Sequence, residues 1–544
     1  MEIGMKSWSK APWITLSLVL ACGDGGPGDT QPVTGPGTPT TQTTSTGSGP
    51  GLVQASLAKP GTGADHLTRL LSVTSDAPST VVARLTSDDG IALTFESTTL
   101  AQEHELQVLG LRFGRTWTGQ VDLVGADGGV TANIDVGEFT TDPEPDAWPD
   151  ITVFSADADQ MEPGVTLFAL NDYSGRSYFL IAMDAQGEVV WLYDSGSLFA
   201  LDAHIDQEGR IIALLGNDVV LLDWMGNELG RWNDDGARGA IPVAGKFHHE
   251  AYAMPNGNLL SLTRDKLWSK SFPSSYTDPA ARVAGEVMSH NVVEFAPDGS
   301  IVFEHSLWDI IDRERIAYDS LLEATGGGFD WVHSNAVYYQ PDDDSYVVSL
   351  RHQDALIKID RPTGALKWIL GTPENWGIDY QPYLLSPDPG TEWPFHPHGP
   401  MLGQDGRIYV FDNGNYRVSP WTGDPTPDHT EQYSRLVAYE VDEQAMTVRQ
   451  VWDFDGPGDT VLFSYATGDA DLLPQTGHVL GTFGFTEVVD GLTNESQGLG
   501  RASSRLVEVD PSTDAVVWDV WFTSDFAASS EGWHGYRATR VPFP

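Results

Sequence analysis

The chain of 544 residues is too long for one small globular core, and its 57 Gly and 34 Pro with only 20% charged residues favour short strands joined by turns over long helices. Its 77 acidic residues against 30 basic ones give a formal net charge of -47, which repels phosphate backbones, so the sequence predicts no nucleic-acid partner. A single cysteine excludes a disulfide framework and a cysteine-rich metal site.

Residues 1–22 have the pattern of a lipoprotein signal peptide. Lys6 and Lys10 precede the apolar stretch Trp13–Ala21, which is too short to span a bilayer and suits a secretory signal. The stretch ends in Leu-Ala-Cys, which resembles the bacterial lipobox and makes Cys22 the predicted lipidation site. The alternative is a plain signal peptide with an incidental cysteine. We therefore expect an exported protein that is lipid-anchored to the cell envelope, on the periplasmic side or at the cell surface.

Two segments separate this signal from the large C-terminal part. Residues 23–51 are Gly, Pro, Thr and Ser with almost no apolar side chains, so they predict a disordered tether. Residues 52–143 alternate apolar and polar residues in short runs, as in residues 80–86 and 104–109, which predicts a small β-sandwich. This segment resembles a fibronectin type III or immunoglobulin-like module, and the proline-rich Pro143–Pro149 follows it as a linker.

From residue 150 onward two strand patterns alternate. The first is a strand, an Asp-containing turn and a second strand that usually ends in Trp. Its six copies cover residues 179–191, 219–232, 292–303, 356–368, 436–452 and 506–518. The second pattern starts with a polar residue and continues as strand, turn and strand. Its copies begin near His204, His249, His333, His398, Asp469 and His534.

Two strands from each pattern make a four-stranded unit. Six such units predict an all-β fold for residues 150–544, a six-bladed β-propeller in which the two chain ends combine in one blade. A seventh blade hidden in residues 372–394 is the alternative.

Side chains at equivalent positions of propeller repeats converge on the central funnel. His249, His333 and His398 occupy such positions, and Asn335 and Arg351 lie in the same unit as His333. Three imidazoles, an amide and a guanidinium predict a cationic, donor-rich pocket for a small anion with several oxygens. A metal centre is disfavoured, because a guanidinium beside a divalent cation is electrostatically costly. We expect no metal and no cofactor.

Several motifs are similar to those of the PAPS-independent bacterial arylsulfotransferases (aryl-sulfate sulfotransferases, ASST). The matching segments are His248–Glu250, Pro255–Leu260, Phe329–Asn335, Val347–Gln353, Ile357–Gly371, Gly406–Gly414 and Tyr536–Ala538. The resemblance covers about residues 150–544. It implies a six-bladed propeller behind a β-sandwich, which transfers a sulfuryl group from an aryl sulfate to a phenol by a ping-pong mechanism through a sulfohistidine.

The resemblance also implies which histidine becomes sulfated. The family's nucleophile falls on His398, in the segment Phe395–Pro400, with His396 as the fallback. The two prolines of this segment, where the family has a plainer strand, leave the choice between the two histidines open. A neutral imidazole is a competent nucleophile for such a transfer.

The remaining roles follow from the same resemblance. His333, Asn335 and Arg351 match residues that bind the sulfuryl oxygens, where charge spreads in a loose transition state. His249 matches a histidine suited to protonating the departing phenolate and later accepting the acceptor's proton. A disulfide that the best-known members carry near the active site cannot form here, because Cys22 is the only cysteine.

Three other functions compete with this one. They are a non-catalytic propeller scaffold, a histidine-ligated metalloenzyme, and a quinoprotein, whose tryptophan-docking repeat resembles residues 360–368. The arylsulfotransferase hypothesis predicts small-molecule partners, an aryl sulfate and a phenol, with the membrane touched only through the lipid on Cys22 and a homodimer left open.

Overall fold

The structure is a computed structural model. It describes residues 51–544 except 173, 234–240, 325–326, 429–430, 459, 490–491, 494–500 and 525–531, and only the backbone of 487–489, 492–493 and 501–502. The predicted signal peptide with Cys22 and the tether up to residue 50 lie outside the described residues.

The described residues are almost entirely β, which confirms the predicted fold class. They form 33 strands, one short α-helix, α1 (Leu307–Ile310), and two 3-10 helices, Arg351–Gln353 and Gln381–Tyr383. Within these residues, no helix has the length and apolar character needed to cross a membrane.

The N-terminal strands share one core around the long strand β2. The strands are β1 (Leu52–Ala58), β2 (Arg69–Ser87), β3 (Ala92–Glu96), β4 (Ala101–Val108), β5 (Thr116–Val124) and β6 (Val130–Thr140). The first half of β2 pairs with β1 and β4, its second half pairs with β3 and β5, and β6 pairs with β5. Alternate residues of β2 are buried, and they pack around the fully buried Trp117. The period-two pattern of the sequence thus marks the core-facing side of the sheet.

Residues 150–541 form six further sheets. Their strands are β7 (Asp150–Ala156), β8 (Val165–Asp172), β9 (Tyr178–Met183), β10 (Val189–Asp194), β11 (Ala200–Ile205), β12 (Ile211–Leu215), β13 (Asp218–Leu222), β14 (Glu228–Trp232), β15 (Lys246–Ala253), β16 (Leu259–Pro273), β17 (Arg282–Phe295), β18 (Ile301–Ser306), β19 (Ser334–Gln340), β20 (Ser345–Leu350), β21 (Ala355–Asp360), β22 (Leu366–Gly371), β23 (Ser386–Pro387), β24 (His398–Leu402), β25 (Ile408–Asp412), β26 (Arg435–Asp442), β27 (Thr447–Phe454), β28 (Asp469–Leu472), β29 (Val479–Val489), β30 (Leu492–Thr493), β31 (Arg501–Asp510), β32 (Ala515–Thr523) and β33 (Trp533–Val541). The sheet orders are β33-β8-β9-β10, β11-β12-β13-β14, β15-β16-β17-β18, β19-β20-β21-β22, β24-β25-β26-β27-β23 and β28-β29-β31-β32-β7, with β30 beside β29.

The six predicted hairpins are all present. They are the antiparallel pairs β9-β10, β13-β14, β17-β18, β21-β22, β26-β27 and β31-β32. Residues 372–394 do not form a further four-stranded sheet. They contain a 3-10 helix and the two-residue β23, which pairs in parallel with β27 at the edge of the fifth sheet.

The strands at each end of residues 150–541 pair with strands from the opposite end. The C-terminal β33 pairs with β8, and β7 pairs with β32. The first strands of the six sheets also contact one another in a circular order, β11 to β15, β19, β24, β28, β33 and back to β11. We refer to these six as the inner strands. Polar side chains that begin the inner strands are thereby brought into one buried region.

The pairing of β8 with β33 generates a prediction about stability. Gly164, just before β8, has a φ of +121°, and a Cβ atom on it would lie 2.3 Å from the Val541 carbonyl oxygen of β33. Gly164→Ala should lower the free energy of unfolding by about 2–4 kcal/mol, through backbone strain and this collision.

Gly209→Ala is the matched control, because Gly209 has a φ of +75° but nothing within 4 Å of the added Cβ. It should cost only the strain, roughly 1 kcal/mol. Denaturant unfolding of both variants measures the difference, and equal costs would contradict the close approach of the two chain ends.

Candidate active site

Four of the five predicted site residues lie in or next to inner strands, and Arg351 follows the second strand of its sheet. His249 lies in β15, Asn335 is in β19 just after His333, Arg351 follows β20, and His398 begins β24. Four of them are buried, whereas the His333 side chain is 18% exposed. Their backbone is unusual as well, because His249 and His333 have positive φ values, which non-glycine residues rarely adopt.

The structure places His249 and His398 beside one tyrosine, Tyr536, and His333 beside His249. The His249 ring centroid lies 5.2 Å from that of His333 and 5.6 Å from that of Tyr536, and the His398 ring lies 6.3 Å from Tyr536. The Tyr536 hydroxyl donates a hydrogen bond of 2.8 Å to the Asn335 carbonyl oxygen. Tyr536 stood in one of the family-like motifs, but the sequence assigned it no role.

The hydrogen bonds of His398 fix its tautomer. The Asn413 amide nitrogen donates to the carbonyl oxygens of Ser464 and Thr467, at 2.7 and 2.9 Å, so its Oδ1 atom faces His398 Nδ1, at 2.6 Å. Nδ1 must therefore carry the proton and Nε2 the lone pair. Burial, and then the charge of Arg351, hold the pKa of His398 well below its usual value. His398 is thus a neutral imidazole with a basic Nε2.

His396 has the opposite character. Its Nδ1 lies 2.9 Å from an Asp354 carboxylate oxygen and its Nε2 lies 3.1 Å from one of Asp319. Burial lowers the pKa of His396, but these two carboxylates outweigh it and raise the pKa above its usual value. Both ring nitrogens of His396 face carboxylates, so neither presents a free lone pair for attack, and the geometry favours His398 over His396 as a nucleophile.

The segment between the two histidines is anchored through one carbonyl. The Pro397 oxygen accepts a hydrogen bond of 2.9 Å from Asn335 Nδ2 and one of 2.8 Å from Ser349 Oγ. Asn335 therefore holds the backbone beside His398 with one of its two N–H groups. The predicted contact between Asn335 and a sulfuryl oxygen would use the second N–H group, and this contact stays a prediction. Ser349 lies in the family-like segment Val347–Gln353, but the sequence assigned it no role.

Arg351 is a fixed cation at the edge of this site. Its guanidinium donates to His352 Nε2 at 2.6 Å and to the Tyr465 carbonyl oxygen at 3.0 Å, and it lies 4.0 Å from an Asp319 oxygen. Its buried Nε–H has no acceptor among the described residues. One donor is therefore left for a ligand.

His333 is oriented by a carboxylate that sequence reasoning missed. Its Nδ1 lies 2.7 Å from Asp330 Oδ2, three residues earlier in the chain. Burial raises the pKa of Asp330, but His333 and His352 lower it below its usual value, so Asp330 is ionised. With Asp319 and Asp354 nearby as well, the cations of the pocket are balanced by carboxylates. This corrects the expectation of a cationic pocket, because the site is rich in donors without an excess of positive charge.

Three groups of side chains among the described residues bring possible metal ligands within 4.8 Å of one another. They are Asp202–His204–Glu250, Asp319–His352–His396 and Asp330–His333–His352. His352, common to two of them, donates from Nδ1 to the Asp330 carbonyl oxygen and accepts from Arg351 at Nε2. Neither nitrogen has a free lone pair, so the two sets that contain His352 fit protons better than a metal ion. The expected absence of a metal stays a prediction.

The Asp202 group forms an ionic layer beside the site. Arg537 lies 3.0 Å from one Glu250 oxygen and 3.6 Å from one Asp202 oxygen, and His204 Nε2 lies 3.1 Å from the other Asp202 oxygen. Burial lowers the pKa of His204, but Asp202 and Glu250 raise it to about 9. Arg537 also donates to the Asn335 carbonyl oxygen, at 2.7 Å, which ties this layer to the site.

The raised pKa of His204 predicts a pH-dependent contribution to stability. Its folded pKa of about 9 lies above the unfolded value, so the stabilisation is complete below about pH 6.5 and is lost as the pH rises through 9. His204→Gln should lower the free energy of unfolding by about 2–3 kcal/mol at pH 6 and by little at pH 10.

Urea unfolding at a series of pH values measures this effect. His66→Gln, which removes a part-exposed histidine 3.6 Å from Asp142, is the control and should cost little at either pH. A His204→Gln penalty that does not change with pH would show that His204 is not protonated in the folded protein.

The family model described as Arylsulfotransferase (ASST) matches residues 150–537. The arylsulfate sulfotransferase AssT of Escherichia coli O6:H1 is 24% identical over 334 residues, 51% of this chain and 52% of that protein. The AssT of Lelliottia amnigena is 30% identical over 337 residues, again 51% and 52%. The chain spans about half the length of the curated relatives it matches.

Similarity to solved structures is looser. A protein of unknown function from Bacteroides caccae aligns with a TM-score of 0.40 and 14% identity, covering 69% of this chain and 98% of that one.

Proposed function

This chain belongs to the arylsulfotransferase family, and we propose that it moves a sulfuryl group from an aryl sulfate to a phenol without a nucleotide sulfate donor. The observation that carries the proposal is His398, a neutral imidazole whose unprotonated Nε2 lies in one pocket with the fixed Arg351 guanidinium. A nucleophile next to an anion-binding donor is the arrangement that a covalent group transfer needs.

We further propose that the six sheets are the blades of a six-bladed propeller and that residues 52–143 are a fibronectin-like sandwich. The circular contacts of the inner strands and the pairing of β33 with β8 support a closed ring. The two sheet portions that share β2 and one core support the sandwich. In a propeller the starts of the inner strands meet at the central funnel, where the site residues would lie.

In the first half-reaction, His398 Nε2 attacks the sulfur of the aryl sulfate. The new N–S bond forms as the bond from sulfur to the phenolic oxygen breaks, and the departing oxygen takes a proton from His249. Negative charge spreads over the sulfuryl oxygens in the transition state, where the free Nε–H of Arg351 would stabilise it. His333 would join it as an imidazolium, donating from Nε2 to a sulfuryl oxygen while its Nδ1 donates to the ionised Asp330.

In the second half-reaction, an acceptor phenol replaces the released one. Its oxygen attacks the sulfur as His249 takes its proton, the N–S bond breaks, and His398 returns to its neutral state. Asn413 keeps the Nδ1 proton in place through both steps, because its Oδ1 can only accept. Donor and acceptor would use the same site in turn, which gives ping-pong kinetics.

A non-catalytic scaffold is the second candidate that the sequence left open. Nothing in the geometry favours it, since such a protein has no need of a neutral nucleophile held beside an unpaired donor. The two candidates differ in one observable, the covalent adduct.

The sulfohistidine generates the central prediction. With an aryl sulfate present and no acceptor, one sulfuryl group, about 80 Da, should accumulate on the peptide that contains His398, and phenol should remove it. Intact mass and peptide mapping measure the adduct. His398→Ala should lack both adduct and turnover, whereas His396→Gln, which keeps His398, should still form it. An adduct on His396, or transfer in His398→Ala, would contradict the assignment.

Arg351→Ala should slow the sulfuryl transfer without preventing attachment of the sulfuryl group to His398. It keeps the nucleophile but removes a transition-state donor, so the adduct should still form while turnover falls about 10²–10³-fold. A loss below tenfold in steady-state turnover would mean that other groups bind the sulfuryl oxygens.

We also propose that the protein is lipid-anchored at the cell envelope through Cys22, on the grounds of the lipobox-like sequence that ends there. Cys22→Ala should move the expressed protein from the membrane fraction to the soluble fraction. Sedimentation followed by immunoblotting measures the distribution. A variant that still sediments with membranes would overturn the proposal.

A further inference from the structure

We propose that His248 and His249 act as one proton-sharing pair, in which His248 sets the tautomer of His249 and shares its charge. The inference rests on the proposed sulfuryl transfer, in which His249 alone was assigned the proton transfers. His248 acts through His249 and is therefore a positioning residue.

An irregularity in β15 turns the two neighbours toward each other. The pairing of β15 with β16 slips between His248 and Ala251, and His249 has a φ of +63°. Consecutive residues of a regular strand point to opposite faces, but here the two rings lie 4.9 Å apart at 88°. Their Nδ1 atoms are 2.6 Å apart, and both residues are buried.

That short distance leaves room for a single proton. Two N–H groups cannot face each other at 2.6 Å, so one Nδ1 donates and the other accepts. The His249 Nε2 atom is buried and has no hydrogen-bond partner among the described residues. Gain or loss of a proton at His249 Nε2 is therefore coupled to the position of the shared proton.

Counting protons gives the pair two working states. In the neutral state the pair holds two protons, the shared one on His249 Nδ1 and one on His248 Nε2, which leaves His249 Nε2 bare as a base. With a third proton on His249 Nε2 the pair is a cation and an acid. Its shared proton can sit on either ring, so the positive charge is spread over both.

These states match the two half-reactions. When the aryl–oxygen bond to sulfur breaks, the cationic pair gives the His249 Nε2 proton to the phenolate and becomes neutral. When the acceptor phenol attacks, the neutral pair takes the phenol proton at the same nitrogen. The proton returns to its starting place over a full cycle, and no other reactant is consumed.

The surroundings set the balance between the states. His290 on β17 packs on His248 at 4.5 Å, His333 before β19 lies 5.2 Å from His249, and Tyr536 on β33 lies 5.6 Å from it. Burial first, and then neighbouring histidines and Arg264 on β16, hold the pKa of both members well below the usual value. His398 on β24, which is neutral in the resting site, is the other titratable group that bears on His249. The resting pair is neutral, and an anionic donor favours uptake of the third proton.

Two substitutions of His248 separate its two roles. In His248→Gln the amide oxygen can still accept the His249 Nδ1 proton, but the side chain cannot take up charge. In His248→Leu both abilities are lost. His290→Asn is the matched control, because it removes a buried imidazole from the same cluster while an amide can still bond to Ser334 Oγ, 2.9 Å from His290 Nδ1.

Single-turnover kinetics with two sulfate donors tests whether the pair acts as the general acid. Phenyl sulfate has a basic leaving group that needs a proton, whereas 4-nitrophenyl sulfate has a stable one. Both His248 variants should slow sulfation by phenyl sulfate about 10²-fold, with less than about fivefold loss for 4-nitrophenyl sulfate. Discharge of the sulfo-enzyme to phenol should stay near the wild-type rate in His248→Gln and fall in His248→Leu. His290→Asn shifts the surroundings of the pair but keeps both of its members, so the ratio of the rates with the two donors should stay near the wild-type value.

The rates of the first step should also change with pH. For phenyl sulfate the wild-type rate should rise as the pH falls, because the cationic pair is the acid, and this dependence should be shifted in His248→Gln. Three results would each overturn the proposed proton-sharing pair. They are equal slowing with both donors in His248→Leu, identical discharge rates in the two His248 variants, and an unchanged pH profile in His248→Gln.

An NMR measurement without substrate distinguishes failure of the proton-sharing pair from failure of the proposed function. In 15N-histidine-labelled protein, a scalar coupling between the two Nδ1 nuclei should appear across the shared hydrogen bond and vanish in His248→Leu. If the wild type forms no sulfo-enzyme with either donor, the proposed function fails while the coupling still tests the pair. Absence of the coupling in the wild type would overturn the pair whatever the activity.

Discussion

A buried imidazole gives up its charge unless a carboxylate accompanies it, and this constraint assigns a different state to each histidine of the site. His396 lies between two carboxylates and is charged, whereas His398 faces an amide and is neutral. His249 faces another histidine, so its state depends on a shared proton. One residue type thereby occurs in three states, and these are the states that the proposed transfer needs in a fixed cation, a nucleophile and an acid–base group.

The fold makes these differences by bringing a separate partner to each ring. Asn413, which sets the tautomer of His398, follows β25 and is itself held by the carbonyl oxygens of Ser464 and Thr467. Asp319, which charges His396, comes from the segment between α1 and β19. The partners therefore come from three different sheets and their connections. Because the other polar atoms of Asn413 and Asp319 are already hydrogen-bonded, the states of His398 and His396 are preorganised before a substrate arrives.

The sequence was sufficient for the strand plan and for the positions of the histidines. Alternating strand patterns and Trp-ended hairpins located the six sheets, and equivalence within the repeat located His249, His333 and His398. The protonation states of these histidines could not be predicted from the sequence, because most of the residues that set them are far away in the chain. Asp319 is 77 positions from His396, and no spacing rule relates them. Asp330, only three positions before His333, was within reach of such a rule and was missed.

The balance of charge in the pocket bears on which anion it can accept. Arg351 and His396 are offset by Asp319, Asp330 and Asp354, so a ligand is held by directed N–H groups more than by net attraction. In a buried site such carboxylates are poorly screened. A sulfate ester brings one negative charge to them, whereas a phosphate ester brings close to two at neutral pH. On the proposed reaction, the carboxylates that charge His396 and orient His333 would thus also weigh against phosphate esters, and the same residues would serve catalysis and selectivity.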